Sequence, residues 1–99
     1  MHPSKVRREA LHALTDLPNI AAAGAADLRL LGITHPQQLI GASALDLYQR
    51  LCLLSGQQQD PCVLDVLLSV VDFMNGAEAQ PWWAYTSQRK QMLAALKSV

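Results

Sequence analysis

Apolar residues recur along this chain at spacings of three and four, the period of helices that pack by one face. Residues 4–14 bring Val6, Ala10, Ala13 and Leu14 to one side and predict a first helix with Ser4 as its cap. Residues 22–31 do the same with Ala25, Leu28 and Leu31, leave Asp27 and Arg29 toward water, and stop at Gly32, which can take the left-handed cap conformation. Thr34-His35-Pro36-Gln37 restarts a short helix, with Thr34 or His35 as cap and Pro36 in the first turn, where its missing amide costs nothing; Gly41 ends it. Ser43 opens a helix through Leu54 in which Ala44, Leu47, Leu51 and Leu54 share a face. After a polar loop, Asp60 and Pro61 start the longest helix, Pro61 to Asn75. It is apolar except for Asp65, Ser69 and Asp72, so it reads as the central core helix with one solvated polar stripe. A final helix is expected from Ser87 to Leu96.

These patterns predict an all-α fold, a compact bundle of five to six helices in one domain over residues 1–99. Within it a hairpin motif occupies 17–33, a second helix pair 43–75, and an aromatic-anchored C-terminal segment 81–97. A chain of 99 residues buries about two-thirds of its unfolded surface, enough for a self-sufficient core. Its wealth of Ala and Leu favours packed helices over a sheet.

The stretch LPNIAAAGAADLRLLGI, 17–33, carries the most chemistry. Pro18 fixes one φ, Asn19 tolerates positive φ, and a helix with no bulky side chain near its start follows. Unpaired amides at such a start carry partial positive charge and can hold an anion. The stretch resembles a helix-hairpin-helix motif, whose pattern is apolar-Pro-Gly-Ile-Gly, small residues, a leucine-rich turn and Gly-Ile or Gly-Val. That resemblance, SAM-like in arrangement, implies sequence-nonspecific contact with the backbone of double-stranded DNA through the amides of Ile20, Ala21, Ala22 and Ala23. Asn19 and Ala21 stand where the pattern prefers glycine, and no Lys or Arg occupies the following turn, so the expected binding is weak. Lys5 and Arg8, three apart on the predicted first helix, and Arg29 are the side chains expected to help.

Charge limits this reading further. The chain sums to zero, against strong dependence on attraction to nucleic acid. Its ends lean basic, while residues 36–79 set Arg50 against Asp46, Asp60, Asp65, Asp72 and Glu78. Trp82, Trp83 and Tyr85 are expected to anchor the C-terminal segment on the bundle or to engage a partner.

No apolar run approaches membrane-spanning length and the first residues do not form an export signal, which predicts a cytoplasmic protein without membrane contact. Cys52 and Cys62 fit partly buried free thiols there, and the histidines at 2, 12 and 35 lie too far from them for a zinc site. His35 is expected to serve as an exposed cap. The Asp65 and Asp72 carboxylates, with no histidine beside them, do not read as a catalytic pair. Cys62, at a helix start, is the one nucleophile candidate, with Asp60 opposing its activation. No enzyme activity, metal or cofactor is expected.

The runs LTDLPNI, DLRLLGI, LYQRLC, DPCVLDV, FMNG and PWWAYTSQRK, spread across most of the chain, resemble small bacterial proteins of the pathogenicity-locus and mitomycin-resistance-protein-like family. The resemblance implies a helix-hairpin-helix region, no recognised enzyme domain and a DNA-repair or DNA-handling context. A protein-interaction or adaptor module on the same scaffold, using an exposed apolar patch near the tail or the second predicted helix and reaching DNA only through a protein partner, is the alternative.

Overall fold

The computed structural model describes residues 1–97, leaving the last two positions of the expected 1–99 domain outside. It contains four α-helices linked by short 3-10 turns and, among the described residues, no strand. The helices are α1 (Ala22–Leu30), α2 (Ala44–Ser55), α3 (Cys62–Met74) and α4 (Thr86–Lys97).

Helix α3 is the axis of the fold because its sequence lets it be buried nearly all round. Leu64, Leu67, Leu68, Val70, Val71 and Phe73 are all buried, and α2, the turn over Pro36–Leu39 and the Trp82–Tyr85 turn pack around them. Its ends are set locally. The Asp60 carboxylate accepts from the Cys62 amide at 2.8 Å, which serves a donor the helix leaves open. At the other end Asn75 donates to the Val71 and Leu39 carbonyls at 2.7 and 3.2 Å and accepts from the Gly41 amide at 3.0 Å, stitching α3 to the 36–41 connection.

Helix α2 begins where Ser43 Oγ accepts from the Asp46 amide at 3.2 Å and ends at Gly56, whose φ of 70° suits glycine. Ala44, Leu47, Tyr48 and Leu51 are buried, but Leu54 is 54% exposed, contrary to its expected place on that face. Tyr48 rotates the buried arc away from it, leaving Leu54 at the edge.

The predicted count of five to six helices is corrected to four. Residues 4–14 form no α-helix: they make 3-10 turns at Pro3–Lys5 and Arg8–Ala10, separated by extended backbone at Val6 and Arg7. Partners elsewhere outweigh local helix propensity. The Arg8 guanidinium donates to the Phe73 and Ala77 carbonyls at 2.7 and 2.8 Å and lies 4.1 Å over the Phe73 ring. Ser4 is not the cap either; its own amide donates to His2 Nδ1 at 3.1 Å. The short helix expected after Thr34 is a 3-10 turn over Pro36–Leu39 with His35 as its N-cap residue, and Gln38 Oε1 reaches back to accept the open amides of Thr34 and His35 at 2.6 and 2.9 Å.

The polar stripe of α3 is also corrected, because it is not solvated. Asp65 is 0% and Ser69 1% exposed. Asp65 accepts from Arg89 Nε and from Thr86 Oγ1, each at 2.8 Å, and Ser69 Oγ donates to the Val66 carbonyl at 2.7 Å while accepting from Asn19 at 2.9 Å. The stripe is the seam on which the C-terminal segment docks, and no buried side-chain polar atom among the described residues lacks a partner.

Tyr85 completes that seam. Burial pushes its hydroxyl up to about 12, and the Asp72 carboxylate adds to the effect. An unfolded chain releases this proton near about pH 10, so above that pH the unfolded state binds fewer protons and stability falls until the folded group titrates too. Tyr85→Phe should therefore flatten the stability loss between roughly pH 10 and 12 by on the order of 2 kcal/mol in urea titrations. An unaltered slope would show that Tyr85 ionises freely in the folded protein.

Candidate functional site

The bend before α1 is built from buried apolar residues around one left-handed position. Leu17, Pro18 and Ile20 are buried, and Asn19 has φ 65°. The Asn19 side chain donates to Ser69 Oγ at 2.9 Å and to the Gln80 carbonyl at 2.8 Å, tying the bend to α3 and to the C-terminal segment. Gly24 lets Ile20 lie against the first turn: a Cβ there would stand 3.3 Å from Ile20 Cδ1.

The bend's own amides and carbonyls are partly in use. The Asn19 amide donates to the Met1 carbonyl at 2.8 Å, and the Met1 amine donates to the Leu17 and Ile20 carbonyls at 2.9 and 2.7 Å. The Ile20 amide reaches the Leu17 carbonyl at 3.4 Å, which removes it from the expected set of open donors. Ala21, Ala22 and Ala23 are exposed, no side chain caps α1, and their amides have no hydrogen-bond partner among the described residues. Three donors therefore stand open at the positive end of a helix, on residues whose own side chains are single methyl groups.

The expected basic side chains are not gathered there. Arg8 is committed to the end of α3 and the Phe73 ring. Arg29 is exposed in the last turn of α1, about two turns from the open amides, where it complements the negative end of the helix. Lys5 is exposed at the end of the Pro3–Lys5 turn. What flanks the amides instead is a hollow of about 380 Å³ lined by Met1, His2, Pro3, Asn19, Ile20, Ala21, Trp82 and Trp83. The two indoles meet edge-on at 5.5 Å; Trp82 is half-buried and Trp83 is 62% exposed, while Tyr85 is buried. The indoles thus border the bend. Sequence reasoning did not place Met1 to Pro3 here, and nothing in their pattern signals it.

Cys52 and Cys62 are both half-buried free thiols. Burial pushes the Cys62 thiol up, and the hydrogen bond and charge of Asp60 add to this, so its position at a helix start does not activate it. No group of three or more His, Cys, Asp or Glu among the described residues could hold a metal ion. No described helix is long and apolar enough to cross a membrane.

On the far side of α2 lies a larger open groove of about 720 Å³, walled by α2 and α4. Leu53, Leu93 and Leu96 supply its apolar surface, with Tyr48, Cys52 and the glutamines at 49, 57 and 58 around them.

Comparison with known proteins adds two matches. The family model described as Cdd1, pathogenicity locus, matches residues 7–91. The chain is 42% identical over 81 residues to mitomycin resistance protein McrB of Streptomyces lavendulae, covering 82% of this chain and 77% of that protein. No solved structure matches.

Proposed function

The chain belongs to the pathogenicity-locus (Cdd1) family, and from that premise we propose that it is a non-enzymatic, cytoplasmic helix-hairpin-helix protein that binds the backbone of double-stranded DNA weakly and without reading sequence. One observation carries this reading: the unpartnered amides of Ala21, Ala22 and Ala23 at the open start of α1, after a left-handed Asn19. Phosphate contacts of this kind position a protein on the duplex, and bases need not be touched. Zero net charge and the commitment of Arg8 keep the affinity low and the salt dependence shallow, with few counterions released. A DNA-repair or DNA-handling context goes with the proposal, since the family name and the relative's name describe a setting and no mechanism.

Ala23→Glu is the sharpest variant. A carboxylate in the first turn favours the helix by about 0.3 to 1 kcal/mol, while it occupies the ground a phosphate would need. Fluorescence anisotropy with labelled duplex at low salt should show binding by the native chain and at least about a tenfold loss in the variant, with thermal stability kept or raised. No binding at low salt, or equal binding by both, would overturn the proposal. A second reading, a protein-interaction module that meets DNA only through a partner, is favoured by the apolar groove between α2 and α4.

A further inference from the structure

The groove between α2 and α4 combines an apolar floor with a neutral polar rim, and no charged residue among those described lines it. Leu53 is 82% and Leu96 43% exposed, and both line the groove. Among the described residues no carboxylate lines the groove. Helix α4 contains no acidic residue and buries none of its side chains fully. On it Lys90, Leu93 and Lys97 stand at i, i+3 and i+7, so the groove-lining Leu93 is bracketed along one stripe by two ammonium groups. Arg89 is neutralised by Asp65. Lys90 and Lys97 are exposed and have no ion-pair or hydrogen-bond partner among the described residues.

We propose that this groove is a docking site for an amphipathic helix of a partner protein, with leucine-like residues on its inner face and carboxylates along its flanks. The size and openness suit the apolar ridge of one helix, recognised by residues at i, i+3, i+4 and i+7. Charge complementarity favours acidic flanks, because Lys90 and Lys97 stand beside Leu93 along α4 without acidic partners among the described residues, and the one carboxylate in line with the groove on α2, Asp46, is paired with Arg50. A second copy of this chain is the poorer occupant: a two-fold contact groove to groove would join two surfaces that carry lysines at their edge and no lining carboxylate, so neither offers the acidic flanks. The inference is independent of phosphate binding, which lies at the start of α1.

The probes are a labelled helical peptide with leucines at i, i+3, i+4 and i+7 and glutamate flanks, and a twin with lysine flanks. The native chain should bind the glutamate peptide at least about tenfold more tightly than its twin in anisotropy titrations. The double variant Lys90→Glu, Lys97→Glu should reverse that preference, and Leu53→Ser, at a position the fold does not bury, should abolish binding of either. Ala23→Glu should leave the peptide affinity unchanged, so failure here and failure at DNA are told apart. Equal binding of both peptides, binding of neither, or self-association in sedimentation equilibrium that the glutamate peptide does not displace would overturn the assignment.

Discussion

Replacing Arg89 with methionine should cost the domain about 3 to 5 kcal/mol, far more than the loss of any other ion pair in the described chain. The guanidinium is only 13% exposed, and its partner, Asp65, is 0% exposed; without Arg89 that carboxylate keeps the Thr86 hydroxyl alone and remains a charge out of water. The contrast is Arg7 with Glu9, 73% and 67% exposed, where water screens the charges and breaking the pair should leave the midpoint close to that of the native chain. Urea midpoints of the two variants, at pH 7, read the difference directly. The double replacement Asp65→Leu, Arg89→Leu should recover most of the loss, because a buried pair exchanged for packed apolar groups is often close to neutral. A single Arg89 variant as stable as the native chain would mean that α4 is held by its half-buried Met92 and Leu93 and not by the pair.

Leu64→Ala is expected to have the other large effect, a loss of about 3 to 5 kcal/mol. Leu64 is 0% exposed on the helix around which α2, α4 and the 36–39 and 82–85 turns pack, so the cavity has little freedom to collapse. For a domain of this size the total stability is on the order of 5 to 15 kcal/mol, and the variant should unfold well below the native midpoint. Leu53→Ala on the open face of α2 should shift the midpoint hardly at all, which makes the pair a check on the placement of the core.

Helices α2 and α3 were readable in the amino-acid order because their caps and apolar faces are local: Ser43, Asp60, Gly56 and the run from Cys62 to Met74 lie within or beside the elements they define. The N-terminal stretch was not, since Arg8 finds its partners 65 and 69 positions away, and spacing within 4–14 contains no trace of Phe73 or Ala77. The same limit governs Asp65. Its stripe looks solvated until Thr86 and Arg89, 21 and 24 positions later, fold back onto it. At the bend, the start of α1 and the left-handed Asn19 follow from Pro18, Asn19 and the alanines; the withdrawal of Arg8 and the placing of Trp82 and Trp83 beside Ala21 are products of packing alone.

The bonds that hold the first twenty residues impose an order on synthesis. Asn19 needs the Gln80 carbonyl, and Arg8 needs carbonyls at 73 and 77, so until most of the chain has left the ribosome its beginning can bond only to itself, through Met1 and the bend. At roughly 5 to 20 residues per second that delay lasts several seconds, during which Leu14, Leu17 and Ile20 have no completed core to enter. The α1 bend is thus tied to the rest of the domain only late in synthesis, long after it has been made, and α4 follows it onto Asp65.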